Sequence, residues 1–168
     1  IYPGKPELPG LPATFGGEED CDTLELVLWD QVLKLEAVLY YTAFRKLDVI
    51  TRSVRVRNQG GEELYLTKVM SVAMDMDNRE YDMLTLHGGW ARERKLQRCP
   101  VALGKQSTGS IRGESSHQEH PFLALAEKGC SQKQGEVYAL NFVYSGNFLA
   151  QTEGNQFDSV RVMMGIHP

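Results

Sequence analysis

The chain has 168 residues, of which 42% are hydrophobic, 24% charged and 9% aromatic. That is the size and make-up of one globular domain with a substantial core, spanning 1–168. Its 18 basic and 22 acidic side chains leave a net charge of −4, which excludes the basic footprint of a nucleic-acid binder. No apolar run approaches the roughly 20 residues of a bilayer-spanning helix, so no membrane partner is expected.

Residues 1–17 are rich in Pro and Gly. Proline fixes φ and removes a backbone donor, so this stretch reads as an extended connector or a sheet edge. From Thr23 the pattern has period two: Leu24, Leu26 and Leu28 alternate with Glu25, Val27 and Trp29. After a turn at Asp30-Gln31, Leu33, Leu35, Ala37, Leu39 and Tyr41 alternate with Lys34, Glu36, Val38 and Tyr40. The two runs predict a hairpin whose apolar face carries the leucines. A third strand over 49–57 ends at the turn Asn58-Gln59-Gly60-Gly61.

A long strand is expected over 64–76, followed by a pair, 81–87 and 90–97, around Gly88-Gly89. Residues 103–121 are polar and Gly-rich, which predicts a long ordered loop with short strands. Strands return over 122–127, 136–145, 148–153 and 159–165. No stretch carries a 3.6-residue apolar stripe, so the fold class is all-β, with two large antiparallel sheets packed face to face.

Cys21, Cys99 and Cys130 show no C-x-x-C spacing. They read as free thiols of a reducing compartment, which makes a cytoplasmic location the expectation. His117 and His120 lie three apart and Pro121 follows, so the helical spacing of a zinc pair is missing. Asp75-Met76-Asp77-Asn78-Arg79 has an arginine where a calcium loop needs a ligand. No metal or cofactor is expected. Ser115 and Ser116 adjoin His117 without a strand–turn–helix elbow, which argues against a serine nucleophile. The eight aspartates, at 20, 22, 30, 48, 75, 77, 82 and 158, sit mostly at turns or beside Lys and Arg. They read as solvated or ion-paired groups.

Two groups of residues remain. In Leu86-His87-Gly88-Gly89-Trp90-Ala91-Arg92-Glu93-Arg94 an indole follows two glycines. It offers a flat apolar face and one N–H, which suit a sugar ring; equally, it can cover a sheet edge as core. The second group, Arg112-Gly113-Glu114-Ser115-Ser116-His117-Gln118, can orient a polyol, dock a partner domain or stitch a loop together.

Several strings, in order, give the chain a family resemblance. They are Ile1-Tyr2-Pro3-Gly4-Lys5-Pro6 with Leu8-Pro9-Gly10-Leu11-Pro12-Ala13-Thr14, then Asp48-Val49-Ile50-Thr51-Arg52-Ser53, then Leu84-Thr85-Leu86-His87-Gly88 with Trp90-Ala91-Arg92-Glu93-Arg94. Lys105-Gln106-Ser107, Arg112-Gly113 with Ser115-Ser116-His117-Gln118, and Pro121-Phe122 follow. The last are Val143-Tyr144-Ser145-Gly146-Asn147-Phe148 and Gly165-Ile166-His167-Pro168. Together they resemble the N-terminal domain of glycoside hydrolase family 36 α-galactosidases over nearly the whole chain.

The resemblance implies a galactose mutarotase-like β-supersandwich preceding a catalytic (β/α)8 barrel and a small C-terminal β domain. It implies that two barrel aspartates hydrolyse terminal α-galactosides such as raffinose and melibiose with retention. The chain is expected to end before that barrel and to be inactive alone, with none of its own aspartates in those roles. The Trp of the W-A-R-E-R motif reaches the galactose pocket in such enzymes, which implies substrate binding by Trp90. The implied partners are the substrate, the barrel of the same chain and further copies in a homo-oligomer, a tetramer in many relatives. The alternative is a stand-alone carbohydrate-binding or interaction module.

Overall fold

A computed structural model describes residues 1–10 and 13–167. Leu11 and Pro12, within the Pro/Gly-rich opening, and Pro168, in the last of the family strings, lie outside the described residues. The described residues form strands, turns and bends without a helix, so none is a helix long and apolar enough to cross a membrane. The chain divides into two compact units, Ile1–Leu66 and Thr67–Pro168.

The first unit is one antiparallel sheet of β1 (Tyr2–Pro3), β2 (Cys21–Asp30), β3 (Leu35–Phe44) and β4 (Ile50–Asn58), in that order. The Pro-containing β1 is a two-residue edge, with Tyr2 opposite Thr23, as proline's missing donor dictates. Asp30 closes the β2–β3 turn: its Oδ1 accepts the N–H groups of Val32 and Leu33, each at 2.9 Å.

The hairpin's buried side is the opposite of the expected one. Val38, Tyr40 and Thr42 are buried, whereas Leu26 and Leu28 are 40% and 53% exposed. Leu26 pairs with Leu39 and Val27 with Val38, so each set shares one face. Apolar residues occupy both faces of this sheet. Alternation therefore gave the period correctly but did not say which face is covered.

The second unit holds β5 (Val69–Asp77), β6 (Asp82–Gly89), β7 (Arg92–Pro100), β8 (Gly104–Ser110), β9 (Glu119–Ala126), β10 (Val137–Asn141), β11 (Phe148–Gly154) and β12 (Ser159–Ile166). One antiparallel sheet runs β10-β9-β6-β7 and another β11-β12-β5. The all-β, antiparallel reading of the sequence holds, with eleven of the twelve strands among the described residues falling into three sheets. The core joins Met83 of β6 and Leu123 and Leu125 of β9 to Phe148 and Ala150 of β11 and Val160, Val162 and Met164 of β12. Burying each of the larger side chains contributes about 1.5–3 kcal/mol.

Several expected boundaries shift. The strand expected from Leu64 begins at Val69, and the one expected over 136–145 ends at Asn141. Within the expected loop over 103–121, β8 is a full strand. Its Ser and Thr residues belong there because Thr108 and Ser110 are buried and hydrogen-bonded, to Glu119 and to the carbonyl of Glu114. Gly109 is needed for close approach, since a Cβ there would lie 2.5 Å from the carbonyl oxygen of Phe148. Cys21, Cys99 and Cys130 are free thiols.

Candidate functional site

The hairpin of β6 and β7 ends in a tip formed by Trp90 and Ala91. Gly88 and Gly89, expected to form the turn, belong to β6. The reason is steric: a Cβ on Gly88 would collide with the Arg92 carbonyl and lie 2.9 Å from Glu93 Cα and 3.0 Å from the His117 carbonyl. Gly88 is required for close packing, and the reversal falls two residues later. Ala91 and Arg94 take φ values of 60° and 55°, the left-handed region that bends a bulged hairpin.

Trp90 is 87% exposed. Its indole is not core. The tip is braced by Glu93, whose Oε1 accepts the Ala91 N–H at 2.8 Å. Bonds from its own backbone N–H and from that of Ala91 hold the Glu93 carboxyl below the usual carboxylate range. Beside the tip lies an open hollow of about 380 Å³, lined by His87, Gly88, Lys95, Leu96 and Gln97.

Under the tip is a network that sequence spacing did not reveal. His87 Nδ1 stands 2.9 Å from Glu119 Oε2, and Nε2 stands 2.7 Å from the Thr85 hydroxyl. Thr108 donates to the same Glu119 oxygen at 2.9 Å. Facing an acceptor oxygen, Nδ1 is the ring nitrogen placed to donate, and the Thr85 hydroxyl meets the ring at Nε2. Period two does place Thr85 and His87 on one face of β6. Their partners lie on two other strands, however, and no local signal points to them. On β9, burial and then the Arg94 guanidinium hold the His120 imidazole below its ordinary value.

The second group of residues singled out in the sequence is structural stitching. Gly113 N–H donates to Asn147 Oδ1 at 2.6 Å, Ser115 N–H to the Ser145 carbonyl at 2.8 Å, and Ser115 Oγ to the Tyr144 carbonyl at 3.3 Å. Ser116 Oγ accepts the Gln118 N–H, and His117 is exposed. These bonds tie the β8–β9 connection to the β10–β11 connection. The hydroxyls serve backbone groups, and no nucleophile–base pair is built.

Among the aspartates, Asp22 pairs with Arg45, Asp75 with Arg161 and Asp82 with Arg98. Asp20 and Asp30 accept backbone N–H groups at turns. Among the described residues no three His, Cys, Asp or Glu side chains converge to hold a metal ion.

The profile of the glycosyl hydrolase family 36 N-terminal domain matches residues 1–168. The α-galactosidase AgaA of Geobacillus stearothermophilus is 52% identical over 169 residues, covering 100% of this chain and 23% of the relative. Crystal structures of AgaA variants in complex with stachyose and with raffinose each superpose with a TM-score of 0.95 at 51% identity. Each covers 99% of this chain and 23% of the solved one. The chain thus spans about a quarter of the length of the relatives it matches, and shares its antiparallel, all-β fold with them. It belongs to the glycosyl hydrolase family 36 N-terminal domain family.

Proposed function

We propose that this chain is the non-catalytic N-terminal domain of an α-galactosidase, where Trp90 forms one wall of the pocket for the terminal galactosyl ring. The observation that carries the reading is the indole held out at a braced, bulged hairpin tip and 87% exposed. A sugar ring presents patches of C–H bonded carbon, and an indole face covers such a patch while its N–H remains free to donate. The solved relatives with stachyose and raffinose, both oligosaccharides, support this choice of substrate class.

The reacting carboxylates belong to a barrel elsewhere in the polypeptide. The domain acts through binding energy: a wall that fixes the galactosyl ring sets the anomeric carbon against those carboxylates. The domain also supports an oligomer. The exposed apolar side chains of Leu26 and Leu28, with Ile50 on the same face, favour that second role.

The test is Trp90→Ala in the full-length enzyme with raffinose. Without the indole against the bound sugar, KM is expected to rise about tenfold, which corresponds to roughly 1.4 kcal/mol of binding. An unchanged KM would leave the domain as an interaction module. Tight raffinose binding by the isolated chain, abolished in Trp90→Ala, would instead make it a stand-alone carbohydrate-binding module.

A further inference from the structure

The strand that carries Trp90 loses regular pairing on both sides just before the tip. On the β9 side, Thr85 pairs with Leu123 and His87 with Glu119. Leu86 alone therefore faces His120, Pro121 and Phe122, and Pro121 has no N–H to give. On the β7 side, His87 pairs with Lys95 and Gly89 with Arg92, so Gly88 faces both Glu93 and Arg94. A bulge interrupts the ladder and re-aims the chain beyond it. Beyond the His87–Glu119 pair, the Gly88 N–H reaches the Gln118 carbonyl at 3.2 Å.

Side chains add further ties across this irregular stretch. His87 is the last residue of β6 with a side chain before Trp90, because Gly88 and Gly89 have none. Its ring is held at both nitrogens, by Glu119 at 2.9 Å and by Thr85 at 2.7 Å. Glu119 is itself held by the Thr108 hydroxyl at 2.9 Å. Thr85 and Thr108 are buried, and the side chains of His87 and Glu119 between them are 30% and 35% exposed, so the network is anchored in the interior at its threonine ends. The resulting network links β8, β9 and β6 directly beneath the tip.

We propose that His87 and Glu119 are a positioning pair that sets the angle at which the hairpin tip presents Trp90 to the galactosyl ring. The proposal rests on the reading of Trp90 as a pocket wall. Neither residue needs to touch substrate. Glu119 orients the imidazole, the imidazole anchors the end of β6, and the anchored strand fixes the tip three residues on.

The test is a set of cycles in the full-length enzyme with raffinose. His87→Ala and Glu119→Ala are each made in the wild-type and in the Trp90→Ala background. Each single change is expected to raise KM about tenfold with kcat within about twofold. In the Trp90→Ala background the same changes are expected to move KM by less than about twofold, because the group they position is gone. His87→Asn places an amide N–H near the position of Nδ1 and is expected to recover most of the loss.

Equal effects in both backgrounds would make the pair a general structural element and overturn the proposal. So would a KM that Trp90→Ala raises but neither His87→Ala nor Glu119→Ala does; in that outcome the pocket-wall reading stands. A KM indifferent to Trp90→Ala instead overturns the pocket-wall reading and this proposal with it. If His87→Ala gives no folded enzyme, the comparison of Glu119→Gln with Glu119→Ala in the two backgrounds decides. The amide still accepts from Nδ1, so only the alanine should raise KM.

Discussion

The hydroxyls of Thr23 and Thr42 stand 2.8 Å apart between β2 and β3, both buried, and only one direction of donation satisfies them. Thr23 spends its single proton on the carbonyl of Gly4, 2.6 Å away. Thr42 must therefore be the donor to Thr23. Thr23→Val strands two groups, the Thr42 hydroxyl and the Gly4 carbonyl, whereas Thr42→Val leaves the Thr23–Gly4 bond in place. The first is expected to cost about 2–3 kcal/mol and the second about 1 kcal/mol in urea unfolding. The reverse order would contradict this assignment.

Arg98 ties β7 to the segment after β9. Its Nε donates to Asp82 at 2.6 Å, and its two terminal nitrogens donate to the carbonyls of Cys130 and Glu127 at 2.8 and 3.2 Å. A lysine has no planar fork to reach three acceptors. Arg98→Lys is expected to destabilise by about 1–2 kcal/mol and Arg98→Ala by about 2–3 kcal/mol, read from the same unfolding curves.

Core and tip should separate cleanly in mutagenesis. Phe148 is fully buried between strands of the core, and Phe148→Ala is expected to cost about 3–5 kcal/mol. Trp90 is as large but exposed, so Trp90→Ala is expected to change stability by less than about 0.5 kcal/mol. A destabilisation of several kcal/mol at Trp90 would show that the indole is structural.

Acid should weaken the fold in two stages. Burial keeps His120 neutral in the fold, below its ordinary value of about 6.5. The unfolded chain then takes up a proton first, so this contribution is present above pH 6.5 and is lost as pH falls toward the folded value. Asp22 and Asp75 are depressed by hydrogen bonds from Arg45 and Arg161. Their contribution is present above about pH 4 and disappears as pH falls through their folded values. His120→Gln is expected to flatten the limb of the stability profile just below pH 6.5 and to leave the limb below pH 4 intact.

Much of this fold was legible because its cause is local. Period-two alternation located the strands, and the Asp30 turn chemistry located the β2–β3 reversal. What alternation cannot carry is which face a neighbour covers: Leu24, Leu26 and Leu28 look like a core face until Val38 and Tyr40 prove to be the buried set. Composition left β8 blurred, as one short strand within a long polar loop, because its Ser and Thr hydroxyls are paired inside.

The tip shows the same division. An indole after two glycines stands out in the sequence. That the glycines serve close packing and the turn falls later depends on the Arg92 and His117 carbonyls, which only the folded chain brings near. Glu119 lies 32 residues from His87, so their pairing is a product of topology. Family resemblance pointed to Trp90; it carried no information about what holds it.

Whether Trp90 meets the sugar is measured most directly by a crystal structure of the full-length enzyme, with its reacting carboxylates disabled, in complex with raffinose. The indole of Trp90 is expected within about 4 Å of the carbons of the terminal galactosyl ring. A galactosyl ring fully enclosed by other residues, with this indole turned to solvent, would contradict it.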